Sequence, residues 1–243
     1  MPTQTSVNNE FRNNLTVSTA TAGTEIKLLV ENSDNSNAAS HAALKVVTGG
    51  ASAGDAFLHF SNSVVDKVFA IDNSDSDALV ISASATPGTT NHAKCTTAGE
   101  WTYPLQPAFC AKCSDWQLNV TGDGTQYTVQ FNSELFDNNS DFNTGTYTFT
   151  APVAGKYLFG ANIHYLYGAA ANYRECFLKT SSGDFHSLRS TAAGAGGQGS
   201  VTNSVITSLD SGDTVYSGIT VWNDTKIDDI DANFCYFYGA LLQ

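Results

Sequence analysis

Residues 129–163 read VQFNSELFDNNSDFNTGTYTFTAPVAGKYLFGANI, and this stretch decides the fold class. Large apolar residues alternate with polar or small ones in short runs, and residues of the Asn, Asp and Gly type separate the runs. Pro152 and Gly155 connect the run that contains Phe149 to the run that contains Phe159. Alternation at a period of two, with turn residues between runs, is typical of antiparallel strands. The stretch therefore predicts an all-β fold.

The same pattern extends in both directions and fills residues 107–243. The predicted strands are QYTVQF (126–131), GTYTFTAP (145–152), GKYLFGANIHYLY (155–167), YRECFLKT (173–180), SVTNSVITSL (200–209), DTVYSGITVW (213–222) and NFCYFYGALLQ (233–243). This number of short strands suits one sandwich or jelly roll. The glycine-rich residues 191–202 are predicted to be a loop tip or crossover and not a site.

Residues 25–84 contain five shorter alternating runs, and we interpret this stretch as poor in large side chains. They are EIKLLVEN (25–32), AALKVVTG (42–49), AFLHFSN (56–62), KVFAIDN (67–73) and ALVISAS (78–84). One copy of this stretch would bury little surface, so we expect it to share its core with other copies of the chain. Pro104 and Pro107 interrupt strand pairing and mark a boundary. The sequence thus predicts an N-terminal anchor at residues 1–22, a β-rich stem at residues 23–104 and a jelly-roll head at residues 105–243.

An acidic stretch, AIDNSDSDALVISASATPGTTN (70–91), raises the question of a calcium loop. A helix–loop–helix calcium loop needs oxygen ligands at positions one, three and five, glycine at six and glutamate at twelve. Counting from Asp72 puts Asp77 at position six and Ala83 at position twelve, and counting from Asp75 puts Leu79 at position five. Both registers fail, so the stretch is predicted to be a hairpin turn in which Asn and Ser side chains cap their own backbone.

Charge and cysteine content exclude several functions. The formal net charge is −12, and no basic stripe is available for nucleic acid or an anionic membrane. The chain has no apolar run of membrane-spanning length, no Gly-x-Ser-x-Gly elbow and no phosphate loop, so neither membrane insertion nor catalysis is expected. Cys110 and Cys113 form one Cys-x-x-Cys pair without a second pair, and we expect buried thiols on a strand, not a zinc or redox site.

The order of residues in the C-terminal part resembles the globular head of complement C1q, a relative of the tumour-necrosis-factor jelly roll. The positions that carry the resemblance are Phe131, Phe136, Asp141, Phe142, Gly145, Phe149, Pro152, Gly155, Tyr157, Phe159, Leu209, Gly212, Asp213, Val215, Phe237, Gly239 and Leu241. The resemblance covers essentially all of residues 107–243. It implies a homotrimer, in which three jelly rolls pack around a three-fold axis with aromatic and aliphatic side chains between them.

Residues 54–109 resemble a segment of bacteriophage tail fibres and related virion appendages. In that segment a strand similar to GDAFLHF precedes AIDNSDSDALVISASATPGTT, and the present sequence departs from the pattern at NHAKCTTAGEW (91–101). The resemblance implies a trimeric β-structured stem in a virion that is assembled in the host cytoplasm. It also implies contact with other virion proteins through the N-terminus.

Two stretches of the head are candidates for ligand binding, YLYGAAANYRE (165–175) and VWNDTKIDDIDAN (221–233). Their candidate residues are Tyr165, Tyr167, Tyr173, Trp222 and Asp224. Aromatic faces beside carboxylates and amides suit sugar rings. The alternative is that the tyrosines fill the trimer core and the aspartates belong to a solvated loop.

The second of these stretches also offers carboxylates for a cation. Some heads of the resembled family hold calcium near the three-fold axis, so Asp228, Asp229 and Asp231 are candidate calcium ligands if three copies converge. No other metal or cofactor is expected.

Two functions of different class remain open. The first is a structural virion protein, a homotrimeric fibre or a capsid or tail appendage, whose head adheres to a glycan or protein of the host surface. The second is a secreted, calcium-dependent, lectin-like protein of a cellular organism with the same head domain. The odd number of cysteines and the lack of a basic and apolar leader in the first residues favour the first. Four Asn-x-Ser/Thr sequons suit the second.

Overall fold

The computed structural model describes residues 29–34, 36–50, 52–167, 173–181, 183–189, 197–222 and 225–243. Contacts divide the chain into two units, Met1–Val47 and Thr48–Gln243. The described residues of the first unit contain no strand, so the strand predicted at residues 42–49 is wrong. A strand needs a hydrogen-bonded neighbour, and no described segment of that unit supplies one. The predicted anchor at residues 1–22 lies outside the described residues and stays a prediction.

The second unit is built from short β-strands, as the alternating pattern predicts. The strands are β1 (Ala56–Ser61), β2 (Asp66–Asp72), β3 (Ala78–Ser82), β4 (Asn91–Cys95), β5 (Trp101–Thr102), β6 (Ala108–Lys112), β7 (Gln117–Thr121), β8 (Gln126–Thr128), β9 (Ser133–Asp137), β10 (Phe142–Asn143), β11 (Thr148–Thr150), β12 (Gly155–Leu166), β13 (Tyr173–Thr180), β14 (Gly183–Arg189), β15 (Gly199–Leu209), β16 (Thr214–Trp222), β17 (Asp228–Ile230) and β18 (Tyr236–Leu241). Two single-turn 3-10 helices, Asn73–Asp75 and Ala232–Phe234, interrupt them. None of the helices in the described part of the chain is long and apolar enough to cross a bilayer.

Strands β1 to β5 form one antiparallel sheet in chain order, which we call the stem sheet. The acidic stretch is the turn between β2 and β3, as predicted. Asp72 caps the 3-10 turn because its carboxylate accepts from the backbone N–H and the hydroxyl of Ser74. Ser76 and Asp77 have positive φ angles and reverse the chain. The aspartates therefore serve the hairpin.

Strands β6 to β18 form a two-sheet sandwich, the head. One sheet has the order β10-β11-β16-β13-β14, with β8 on β16, and the other has the order β7-β17-β12-β18-β6-β9, with β15 on β12. The long strand β12 pairs with β15 from Gly155 to Tyr165 and with β18 from Tyr157 to Asn162. This is an all-β jelly roll, so the predicted fold class is confirmed.

Aromatic rings fill the space between the two head sheets. Phe109 lies at their centre, with its ring centroid 4.7 Å from that of Phe142, 5.2 Å from that of Phe149 and 5.0 Å from that of Phe237. All four rings are buried. Each comes from a strand position where alternation directs the side chain inward, and packed aromatic pairs of this kind stabilise a core beyond the area they bury.

Candidate functional site

The outer side of the larger head sheet, away from the sandwich core, carries an apolar surface that we call the head face. Residues directly opposite each other on antiparallel strands share a face, so the register defines its rows. One row runs through Phe136, Cys110, Tyr238, Gly160 and Ser204.

Two further rows flank the first. They run through Ala108, Ala240, Leu158 and Ile206, and through Lys112, Tyr236, Asn162 and Thr202. The head face therefore combines aliphatic and aromatic side chains with a margin of hydroxyl and amide groups.

Large side chains of the head face are exposed in a single copy of the chain. Ile206 is 61% exposed, Phe136 is 51% exposed, and the rings of Tyr236 and Tyr238 are also partly open to solvent. The Tyr238 ring lies across Gly160, where an added Cβ would come within 2.3 Å of its hydroxyl oxygen. Glycine is thus required for the ring to lie flat on the sheet. Several large apolar side chains together on an outer sheet face mark a surface that packs against another protein.

Two grooves cross the head face and share Asn162 and Tyr236. One has a volume of about 380 Å³ and includes Tyr238 and Thr202 in its lining. The other has a volume of about 310 Å³ and includes Phe234. Grooves of this size, with amide and hydroxyl groups at their margins, accept side chains of a packed neighbour.

Of the predicted ligand-binding tyrosines, Tyr165 lies apart from the others. It is 1% exposed and belongs to the core of the head. The guanidinium of Arg174, which is also buried, lies over its ring, with Cζ 4.9 Å from the centroid. A ring covered in this way stabilises the sandwich and offers no face to a sugar in a single copy of the chain.

The structure does bring Tyr173 and Trp222 together. They are directly opposite each other on β13 and β16, on the outer side of the smaller head sheet, and Tyr173 is exposed. Trp222 packs over Gly124, where an added Cβ would lie 3.0 Å from the indole. Tyr167 is exposed just after β12, and Asp224 lies outside the described residues. Tyr173 and Trp222 are therefore cross-strand neighbours on the outer side of this sheet.

The three candidate calcium ligands are buried and take part in the chain's own structure. The Asp229 carboxylate accepts from the backbone N–H of Asn119 at 2.7 Å. The Asp231 carboxylate accepts from the backbone N–H of Asn233 at 2.8 Å and caps the second 3-10 turn. Asp228 packs against Gly122, where an added Cβ would lie 2.5 Å from a carboxylate oxygen.

These contacts give the carboxylates structural roles within one chain. Within the described ranges, no group of three or more His, Cys, Asp or Glu side chains is arranged to hold a metal ion. Calcium bound between copies stays a prediction.

The free thiols of Cys113 and Cys235 interact with each other, a contact that the Cys-x-x-Cys spacing did not indicate. Cys110 belongs to the head face, whereas Cys113 and Cys235 both lie in the core of the head. The two core cysteines come next to Lys112 and Tyr236, which are paired across β6 and β18. The hydrogen-bonding interaction between the Cys113 and Cys235 thiols lowers the pKa of Cys113 and raises that of Cys235, and the Cys235 thiol also donates to the carbonyl of His164 at 3.6 Å. Burial raises the pKa of Cys110. The two residues of the motif thus have separate environments, in agreement with strand alternation.

Sequence analysis did not identify the head face. Its signal is present in YFYGAL, where apolar residues occupy both faces of β18 and not alternate positions only. A strand that is apolar on both faces indicates burial on both. Nothing in the sequence alone indicated which strands would lie next to β18.

A jelly-roll sandwich with an apolar outer sheet face is a domain that presents a surface suited to contact with another protein. Residues 108–242 match the C1q domain family, which is more than half of the chain, so this chain belongs to the C1q domain family. Domains of this family and of the related tumour-necrosis-factor type are typically non-enzymatic binding modules, and they typically form homotrimers. A search of curated proteins found no match.

Solved structures similar to this chain include the globular domain of zebrafish complement 1qA protein. It has 19% sequence identity and a TM-score of 0.41, and the match covers 57% of this chain and 98% of that domain. Another is murine APRIL at pH 8.5, with 10% identity and a TM-score of 0.39, where the match covers 56% of this chain and 99% of the other. The crystal structure of murine APRIL at pH 5.0 has 10% identity and a TM-score of 0.41, with coverage of 56% and 99%.

Proposed function

We propose that this protein is a homotrimeric adhesion protein in which a slender stem presents a C1q-type head. The observation that carries the proposal is the head face, where Ile206, Phe136, Tyr236 and Tyr238 are exposed together in a single copy. Three copies around an axis beside this face would bury these side chains, and family membership supports that arrangement. Burial of several large apolar side chains in each copy would stabilise the trimer.

The adhesive surface in this proposal is the outer side of the smaller head sheet. Tyr173 and Trp222 lie there, on the sheet that faces away from the proposed axis. Glu175 and His186 are hydrogen-bonded to each other on the same side of that sheet. An aromatic pair beside a carboxylate and an imidazole offers stacking and hydrogen bonds to a sugar or a protein of a host surface.

We further propose that the protein acts as a fibre or appendage of a bacteriophage virion. The support is the order of sequence motifs in residues 54–109, which resembles virion stems, together with the separate stem sheet that these motifs form. The alternative, a secreted calcium-dependent lectin, needs a cation near Asp228, Asp229 and Asp231. No observation on these residues favours that alternative, so we do not propose it as a second function.

Mass measurement of a matched pair of variants tests the trimer. Ile206→Lys places a lysine on the head face, and Ile227→Lys makes the same change at an exposed isoleucine off that face. We expect the parent protein and Ile227→Lys to have three times the 25.7 kDa chain mass, and we expect Ile206→Lys to dissociate, because three ammonium groups would meet near the axis.

Measurements with and without a calcium chelator separate a metal-free trimer from a calcium-dependent one. A parent protein that is monomeric in both conditions would refute the proposal. For the virion role, we expect gold-labelled antibody against the head to decorate phage particles, and labelling of host-secreted protein without particles would refute that part.

A further inference from the structure

The stem sheet has two faces of different character, and its register shows which residues belong to each. One row on the first face contains Ala70 and Val80, and both are buried. On the opposite face, one row runs through Leu58, Phe69 and Ile81. A neighbouring row on that same face runs through Ile71, Leu79, Cys95 and Trp101.

The chain itself covers the first face. Pro87 of the segment between β3 and β4 is buried, and the neighbouring Gly88 lies so close to Asp72 that an added Cβ would come within 2.1 Å of its carboxylate. The Ser82 hydroxyl donates to the carbonyl of Thr90 and holds this segment in place. The side chains beneath the segment, such as Val80, are small, so a short loop is enough to cover them.

The second face carries most of the large side chains, and no described segment between β1 and β5 covers it in this way. Its main residues, which we call the stem face, are Leu58, Phe60, Phe69, Ile71, Ile81 and Trp101. Each is between 37% and 62% exposed. The sequence had suggested a stem poor in large side chains, but the sheet carries six of them on the stem face. Phe57, on the first face at the edge strand β1, is also exposed. The exposed apolar area is about 500 Å² for each copy, at about 150–200 Å² for a whole side chain.

We propose that the stem faces of the three copies cover one another in the assembled protein. This inference rests on the proposed head trimer. An area of about 500 Å² is below the ~800 Å² per partner of an interface that forms by itself, so the stem sheet alone would associate weakly. Only residues 103–107 separate β5 from β6, a strand of the sheet that carries the head face. A connection of this length holds three stem sheets at a high effective concentration once the heads have assembled.

The apolar character of the stem face also favours a copy of the same chain as its occupant. Lys67, opposite Phe60, is the one charged residue in the paired rows of this face within the described strands β1 to β5. A chain with a formal net charge of −12 would repel a second acidic surface, but this face brings no carboxylate to the contact. Apart from Lys67 the rows of this face are uncharged and largely apolar, so three copies of it can pack against one another without opposing carboxylates.

Fluorescence of Trp101 in the full-length protein tests the proposal. Replacing Trp116 and Trp222 by phenylalanine leaves Trp101 as the sole indole, and acrylamide quenching then reports its exposure. We expect the quenching constant of the trimer to be about threefold lower than that of a variant that also carries Phe69→Ser and Ile81→Ser, with both proteins trimeric by mass. A matched Val64→Ser change, at a residue that is 86% exposed in the β1–β2 turn, should leave the quenching constant unchanged.

The outcomes separate this inference from the proposed function. A trimer in which Trp101 is quenched as freely as in the Phe69→Ser, Ile81→Ser variant would overturn the stem contact and leave the head trimer intact. A monomer would overturn both. Cys95 gives a second measurement, since it lies opposite Trp101 on the same face. Slower maleimide labelling of Cys95, located by peptide mapping, in the parent trimer than in the folded Phe69→Ser, Ile81→Ser trimer supports the contact, and equal rates contradict it.

Discussion

Replacement of Gly239 by alanine should destabilise the head, because the aromatic core occupies the space that a side chain would need. An added Cβ would lie 2.4 Å from a Phe159 ring carbon and 2.8 Å from a Phe109 ring carbon, where ordinary contacts are 3.4–4 Å. Neither ring can retreat easily, since Phe109 stacks on Phe142 and Phe149 and both Phe109 and Phe159 are buried. Overpacking of this kind costs about 1–3 kcal/mol, and two obstructed rings indicate a cost of about 3 kcal/mol.

Gly183→Ala is the matched control for this prediction. Nothing lies within 4 Å of the Cβ that it would add at the start of β14. It should leave the free energy of unfolding unchanged within about 0.5 kcal/mol, or raise it slightly by restricting the unfolded chain.

Urea unfolding of both variants at one protein concentration, followed by circular dichroism, measures the difference. At a slope of about 3 kcal/mol per molar urea, the Gly239→Ala midpoint should lie about 1 M below that of Gly183→Ala. Equal midpoints would refute the packing argument.

Three further predictions concern assembly, pH and the acidic residues. Gly160→Ala should displace the Tyr238 ring from the head face and raise the dissociation constant of the trimer about tenfold. Analytical ultracentrifugation over a series of decreasing concentrations measures this constant, and a value equal to that of the parent protein would contradict the prediction. Burial raises the pKa of Cys176 from 9.0 to about 12, so the stability it provides is complete below pH 9 and falls as the pH rises toward 12. Between about pH 8 and about pH 10.5 the free energy of unfolding of the parent protein should fall by roughly 2 kcal/mol more than that of Cys176→Ala. Equal decreases in urea titrations would be inconsistent with the raised pKa of Cys176. Asp229→Ala should cost about 2 kcal/mol because the backbone N–H of Asn119 loses its charged acceptor, whereas a calcium chelator should not change the thermal midpoint of the parent protein. A lower thermal midpoint of the parent protein in the presence of the chelator would indicate that the Asp229 carboxylate binds a cation.

Much of the head could be predicted from the sequence, because its strands have clear alternation and distinct turns. The run at residues 173–180 has the bounds of β13, and the run at residues 155–167 matches β12 within one residue. The predicted head strands lack β7, β9, β10, β14 and β17, since QLNVT, SELFD, FN, GDFHSLR and DDI are too polar or too short to show a clear periodic pattern. The run at residues 42–49 has the composition of a strand but no described partner, and composition does not supply one.

The candidate site was harder to predict, because residue type alone does not fix where a side chain lies. Tyr165 and Tyr173 look alike in the sequence, yet one is a core residue beneath Arg174 and the other is exposed opposite Trp222. A shift of one position along a strand reverses the face. The acidic residues Asp229 and Asp231 suggested a cation for the same reason, and their roles as backbone acceptors became visible only with their partners in place.

The strands that depart from alternation carry the functional information in this chain. On β15, SVTNSVITSL alternates well, and Ile206 is its main apolar residue on the outer side. On β18 and on strands β1 to β3, apolar residues occupy both faces, although the head core or the chain's own loops can cover only one. A second apolar face requires a second cover, and in both sheets the cover that we propose is another copy of the chain. The same physical argument therefore links the head face and the stem face, and a protein that closes both would form a continuous trimer from stem to head.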